Sequence, residues 1–242
     1  MRPLGVILCA LVALQAGADT LADLRAAVGR LGAKQAVRAT LAVDVAMKAA
    51  GKFSNQNMAR TLSLEVAHDA AGISLTIPQT LLDRRAGGGR GNKAVQAIGS
   101  IQPLEVVEAI DYRETLLALI EGATVLSEKR APHNGRPVRL LVLKLKPRPE
   151  KNDDGTITIG SSKTEEQLSL WLGDDNVPLA GEWSHKTTAG FLFIRGTTEG
   201  RTSYTFAHTP DRLIIARMES TESGSGMGQK FDVTSLQTLT LH

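Results

Sequence analysis

Residues 37–48 read Val-Arg-Ala-Thr-Leu-Ala-Val-Asp-Val-Ala-Met-Lys, and their period is two. Val37, Ala39, Leu41, Val43, Val45 and Met47 share one side, while Arg38, Thr40, Asp44 and Lys48 share the other. Successive side chains of a strand point to opposite faces, so this stretch predicts a long strand with one apolar and one wet face. Leu62, Leu64 and Val66 repeat the pattern, as do Ile73, Leu75 and Ile77. Short connections containing Gly or Asn separate these runs, which favours antiparallel pairing.

Strand patterns return after Ala123 and continue to the end. Thr124 to Arg130 and Val138 to Lys146 form a hairpin whose turn signal is Asn134-Gly135. Runs at 167–172, 177–186, 190–198, 202–208, 212–220 and 230–241 follow, giving about ten strands in all. Pro147 to Asp154 reads as a charged loop with a turn at Asp154-Gly155, and Ser223 to Gly228 reads as a flexible tip. The predicted fold class is α+β, mostly β: one long, curved antiparallel sheet, a half-barrel, wrapped around a few helices.

Two segments interrupt the strands. Leu21, Leu24, Val28 and Leu31 are at helical spacing, with Thr20 and Asp23 as a weak capping box and Gly32 at the expected helix end. Pro103 suits a first helical position, and Leu104, Val107, Ile110, Leu117 and Ile120 form an apolar stripe behind it. That stripe is the available cover for the sheet's apolar face. Two arrangements remain open: a movable cover hinged at Gly87-Gly88-Gly89, or a permanently packed helix.

The 242 residues include 28 Lys or Arg and 25 Asp or Glu, a net charge of +3, with 42% apolar residues. That apolar content suffices for a core and argues against disorder. The charges are interspersed and form no phosphate-tracking stripe, so nucleic acid is not an expected partner. The glycines of 87–91 do not make a P-loop, because Asn92-Lys93-Ala94 breaks the required Gly-Lys-Ser/Thr ending.

The first eighteen residues follow a separate pattern. Arg2 precedes an apolar run from Leu4 to Leu14, and Ala16-Gly17-Ala18 places small residues before Asp19. This is the layout of a secretory signal cleaved after Ala18. Retention as an anchor is the alternative, and the run is shorter than the about 20 residues a spanning helix needs. The expectation is a signal peptide at 1–18, a single domain at 19–242, a periplasmic location and at most peripheral contact with a membrane. Cys9, the one cysteine, lies within the apolar run, so cleavage leaves no thiol for catalysis or for a cysteine-based metal site.

His68, His133, His185, His208 and His242 are the five histidines. None stands in a His-x-His or His-Glu-x-x-His spacing, and several lie in phase with apolar residues near strand ends. They read as imidazoles capping the rim of a core. Gly224-Ser225-Gly226 lacks the five-residue form and strand–helix setting of a nucleophile elbow. No catalytic residue, metal ligand or cofactor is assigned, and no enzyme is expected.

The order of export signal, amphipathic helix, long strands, central helices and further strands resembles the periplasmic lipoprotein-carrier family of half-barrel proteins. Leu170-Trp171-Leu172-Gly173-Asp174-Asp175-Asn176-Val177-Pro178-Leu179 carries the local part of that resemblance. The resemblance implies a binding or carrier protein for a lipid, lipoprotein or other apolar ligand, whose acyl chains enter a cavity between sheet and helices. On this chain the cavity would be lined by Leu104, Val107, Ile110, Leu117, Ile120, Val43, Leu64, Trp183 and Phe206. The alternative is a structural or chaperone-like envelope protein that binds another protein through its sheet.

Overall fold

The computed structural model describes residues 20–32, 35–51, 56–69, 72–76, 103–146, 161–191, 194–226 and 228–242. The expected signal peptide at 1–18, the expected hinge at Gly87-Gly88-Gly89, and the expected loop at 147–154 with its turn at Asp154-Gly155 lie outside them.

Among the described residues ten strands form one antiparallel sheet: β1 (Val37–Gly51), β2 (Gln56–Asp69), β3 (Gly72–Thr76), β4 (Thr124–His133), β5 (Arg136–Lys144), β6 (Ser161–Leu172), β7 (Pro178–Phe191), β8 (Ile194–Thr209), β9 (Arg212–Gly226) and β10 (Gln229–Leu241). Their spatial order is β3-β2-β1-β10-β9-β8-β7-β6-β5-β4. Each neighbour in space is a neighbour in sequence except at one joint, where β10 folds back on β1 with Ala39 opposite Leu241 and Gly51 opposite Gln229. Two meanders, one before the helices and one after, are thus welded into one sheet by a long-range pairing. The sheet does not close on itself, and among the described residues β3 and β4 are its two edges.

The predicted phases hold in β1 and β2, whereas Leu75 of β3 is exposed at 42% and Ile77 lies outside the described residues. Val43 faces Leu62 and Leu41 faces Leu64 across β1 and β2, and Leu41, Leu62, Leu64 and Val66 are buried. The Asn134-Gly135 turn has positive φ at both residues, 49° and 76°, which the right-handed twist of a two-residue hairpin demands.

Among the described residues three helices cover one side of the sheet, here the inner face: α1 (20–29), α2 (Pro103–Ile110) and α3 (Arg113–Ile120). The apolar residues gather in two clusters. In the larger, Leu24 and Val28 of α1 and Leu116 and Ile120 of α3 meet Leu141, Leu143, Leu168 and Leu170 of β5 and β6. In the smaller, Val106, Ala109 and Ile110 of α2 meet Ala39, Leu41, Val66 and Leu239 of β1, β2 and β10.

Three local expectations are corrected. The stripe from 103 to 122 is two helices, because the Tyr112 N–H donates to the Leu213 carbonyl of β9 at 2.8 Å, outside any helix. The Thr20 hydroxyl donates to Glu128 Oε2 of β4 at 2.6 Å, which ties the start of α1 to the sheet. Gly32 is not among the positive-φ glycines, and its N–H donates to the Asp211 carbonyl at 2.9 Å. Ser223 to Gly226 is no loose tip but the end of β9, paired with both β8 and β10. Its glycine has a packing reason: a Cβ on Gly224 would fall 2.3 Å from the Phe231 ring, which lies across it.

Candidate functional site

Each long strand changes character along its length, and that change locates the open surfaces. β9 begins Arg-Leu-Ile-Ile, all buried, and ends Glu-Ser-Gly-Ser-Gly, alternating between partly and fully exposed. β6 runs the other way, from Lys163-Thr164-Glu165-Glu166 to the buried Leu168, Leu170 and Leu172. Antiparallel order brings the apolar halves together at one end, the base, where the helices sit. The polar halves form the opposite end, the rim.

The nine residues expected to line one cavity do not converge. Leu117, Ile120, Trp183 and Phe206 belong to the larger cluster or pack on it. Ile110 and Val43 belong to the smaller. Leu64 is buried under the sheet's cover, at 3% exposure, whereas Val107 points away from the core at 39% exposure. The side chain of Leu104 lies outside the described residues. The break at Tyr112 is the physical reason, since it rotates the two halves of the stripe toward different parts of the sheet.

Between the helices and the middle of the inner face lies a crevice of about 340 Å³. Glu108, Tyr112 and Thr115 line it from the helices, and Trp183, Tyr204 and Gln237 from the sheet. The Thr115 hydroxyl donates to Glu108 Oε1 at 3.0 Å, tying α2 to α3. Tyr112 packs on Tyr204 and Phe206 with ring centroids 5.4 and 5.5 Å away, closing the crevice toward the base. Its lining is half polar, so it differs from the apolar cavity expected for acyl chains.

A wider groove of about 1210 Å³ runs beside the edge strand β4. Leu21 and Arg25 of α1 form one wall, and Leu126, Glu128 and Arg139 of the β4–β5 hairpin form another. The wall is braced by named bonds. Glu128 accepts from Thr20 and pairs with Arg139 at 3.5 Å, Arg139 also donates to Asn176 Oδ1, and Arg25 donates to the Ile120 carbonyl at 2.7 Å. Among the described residues β4 is paired on one side only. Seven of its ten residues are exposed, with Leu126 at 53%. A bulge between Val125 and Ser127, the charges Lys129 and Arg130, and Pro132 are devices that discourage indiscriminate pairing of an edge. Sequence reading missed this site, because which strand ends a sheet depends on pairings far apart in the chain.

A third depression, about 820 Å³, is lined by charged residues of the outer face, among them Lys144, Glu165, Lys186, Glu199 and Arg201. Its ion pairs are solvent-exposed: Lys163 with Glu165 at 2.6 Å, Lys186 with Glu199 at 2.5 Å, and Arg201 with Glu182. The hydrogen bond from Lys163 holds the Glu165 carboxyl below its ordinary range, and the bond to Glu199 holds the Lys186 ammonium above its own.

His68 meets the buried Arg212, Nδ1 to Nη1 at 2.6 Å, and His185 stacks on Trp183 at 4.7 Å. The side chain of His208 lies outside the described residues. Among the described residues no three His, Cys, Asp or Glu side chains converge as metal ligands, and no helix is long and apolar enough to cross a membrane.

No family model matches the chain. No curated protein matches it either. Among solved structures the chain is similar to the crystal structure of MucB in complex with MucA(peri), at 12% identity and a TM-score of 0.21, over 92% of this chain and 93% of that one. So loose a superposition transfers neither residues nor partners.

Proposed function

We propose that this chain is an exported, non-enzymatic binding protein that receives an extended segment of another protein along the free edge of β4. The observation that carries this reading is the edge itself: ten residues, paired on one side among the described residues, largely exposed and bordering a groove of about 1210 Å³. A strand added there gains main-chain hydrogen bonds, while alternate side chains enter the groove and give selectivity. Export fits the leader-like residues 1–18, and the envelope is the compartment they imply.

The acyl-carrier reading asks for a deep apolar cavity. In the described residues the apolar base is filled by α1, α2 and α3, and the crevice beside them is half polar. This favours the protein partner over the lipid.

Site-specific photo-cross-linking in the source cell tests the proposal. A photoreactive residue at Ser127 or Lys129 should give a discrete protein adduct, and one at Lys186 on the outer face should not. Lys129→Glu with Arg130→Glu should weaken the adduct. Absence of any adduct at β4, together with acyl lipid retained in native mass spectra, would overturn the proposal in favour of a lipid carrier.

A further inference from the structure

Three buried polar atoms of the described residues have no hydrogen-bond partner on neighbouring strands: Glu166 Oε2 of β6, and Trp183 Nε1 and His185 Nδ1 of β7. Glu166 stands opposite His185, and Leu168 opposite Trp183, so the three polar side chains occupy two adjacent rungs of one sheet face. Leaving such groups without partners is costly, and native proteins keep them where a water, ion or ligand completes them.

The positions are built rather than accidental. His185 stacks on Trp183 with an interplanar angle of 29°. On its other side it lies across Gly200 of β8, where a Cβ would fall 2.2 Å from the ring. Only glycine leaves room for the imidazole in that place. Trp183 also lines the crevice of about 340 Å³, facing Thr202, Ser235 and Gln237 across the sheet and Thr115 from α3.

The chemistry of these groups selects the ligand. The indole N–H needs an acceptor and the carboxylate needs a donor. An ammonium satisfies only the second, and an alkyl chain satisfies neither. In the crevice lining an anion would meet Glu108 and no lysine or arginine, and on the adjoining rung it would meet Glu166, which with His185 also borders the depression that holds Lys144, Lys186 and Arg201. A neutral compound carrying several hydroxyls supplies donors and acceptors together. We propose that the crevice and its two polar rungs form a binding site for a sugar unit, separate from the β4 edge.

Trp183 supplies its own readout. The chain has two tryptophans, and Trp171 sits elsewhere, 6.3 Å from the His133 ring. In a Trp171→Phe protein, emission then reports Trp183 alone. Glucose, maltose, N-acetylglucosamine and its β-1,4 dimer are titrated to about 20 mM, a range that captures a Kd near 1 mM. A saturable change of emission is expected with at least one of the four. Glu166→Gln and Gly200→Ala should each weaken it about tenfold, with circular dichroism unchanged. Lys129→Glu at the β4 edge should leave it intact. No response to any of the four sugars overturns the proposal, as does an equal response to inorganic phosphate or displacement of bound sugar by a fluorescent fatty acid.

Discussion

The base and the rim of the sheet are made of the same strands, yet they are different materials. At the base, Leu141, Leu143, Leu168 and Leu170 lie under α1 and α3 and are almost wholly buried. At the rim, the same strands carry Thr164, Glu166, Thr187, Gly200, Glu222 and Gly224, with partly exposed side chains or none. The base supplies stability, since burying apolar surface contributes about 25 cal/mol per Å². The rim and the β4 edge supply unpartnered polar groups and backbone, the means of binding. Separating the two along one strand lets the binding surfaces vary without dissolving the core.

The largest effect is expected from charging the base. Leu170→Asp should destabilise by about 4 kcal/mol, because an unpaired carboxylate would enter the cluster between sheet and helices. Thr187→Asp, on the same face but at the rim, should stay within about 0.5 kcal/mol. Urea unfolding of both variants checks the contrast, and similar midpoints for the two would erase the distinction between base and rim.

A smaller effect is expected at Arg212, a large buried cation of the base. Arg212 is 1% exposed, bonds His68 Nδ1 and donates to the Gln35 carbonyl. It ties the chain leaving α1 to β2 and β9. Arg212→Met should cost about 2 kcal/mol by stranding those acceptors in a dry site. A thermal melt that does not move would show that water reaches them.

Substitution at Gly224 probes the rim itself. A Cβ there meets the Phe231 ring, which must swing outward, so Gly224→Ala should cost about 1 kcal/mol. A neutral result would mean that Phe231 moves freely and that the end of β9 is looser than the base.

The smallest effects belong to the outer-face ion pairs. The Lys186 pKa is raised by Glu199, so that contribution is full below the ordinary lysine value and fades as pH climbs through the raised one. The Glu165 pKa is lowered by Lys163, so its contribution is present above the ordinary carboxylate value and fades as pH falls through the lowered one. Both pairs are exposed and weakly coupled to folding. Glu199→Gln should therefore flatten the alkaline limb of a stability–pH curve slightly and leave the neutral region unchanged.

Much of the base was legible in the sequence. The alternation of Val37 to Met47 and of Leu62 to Val66 states which side is buried, because a one-residue slip would turn every side chain over. Asn134-Gly135 announces its hairpin for an equally local reason. What escaped reading depends on distant partners. Tyr112 leaves the helix because Leu213, about a hundred residues on, accepts its N–H. The glycines of 223–226 look like a loose tip until Phe231 is seen lying on one of them. The candidate site suffered most, since nine apolar residues sharing a phase were assigned one cavity when the helix break divides them between two clusters. Polar groups on the rim carried no pattern that alternation could register.

Amide hydrogen exchange on the complex with the cross-linked partner tests the central claim most directly. The account predicts that amides from Ser127 to Ala131 exchange quickly in the free protein and slow by at least about tenfold in the complex, while those around Trp183 and Tyr204 are unchanged. Protection appearing at Trp183 and Tyr204 with β4 unaltered would contradict it and place the partner on the inner face.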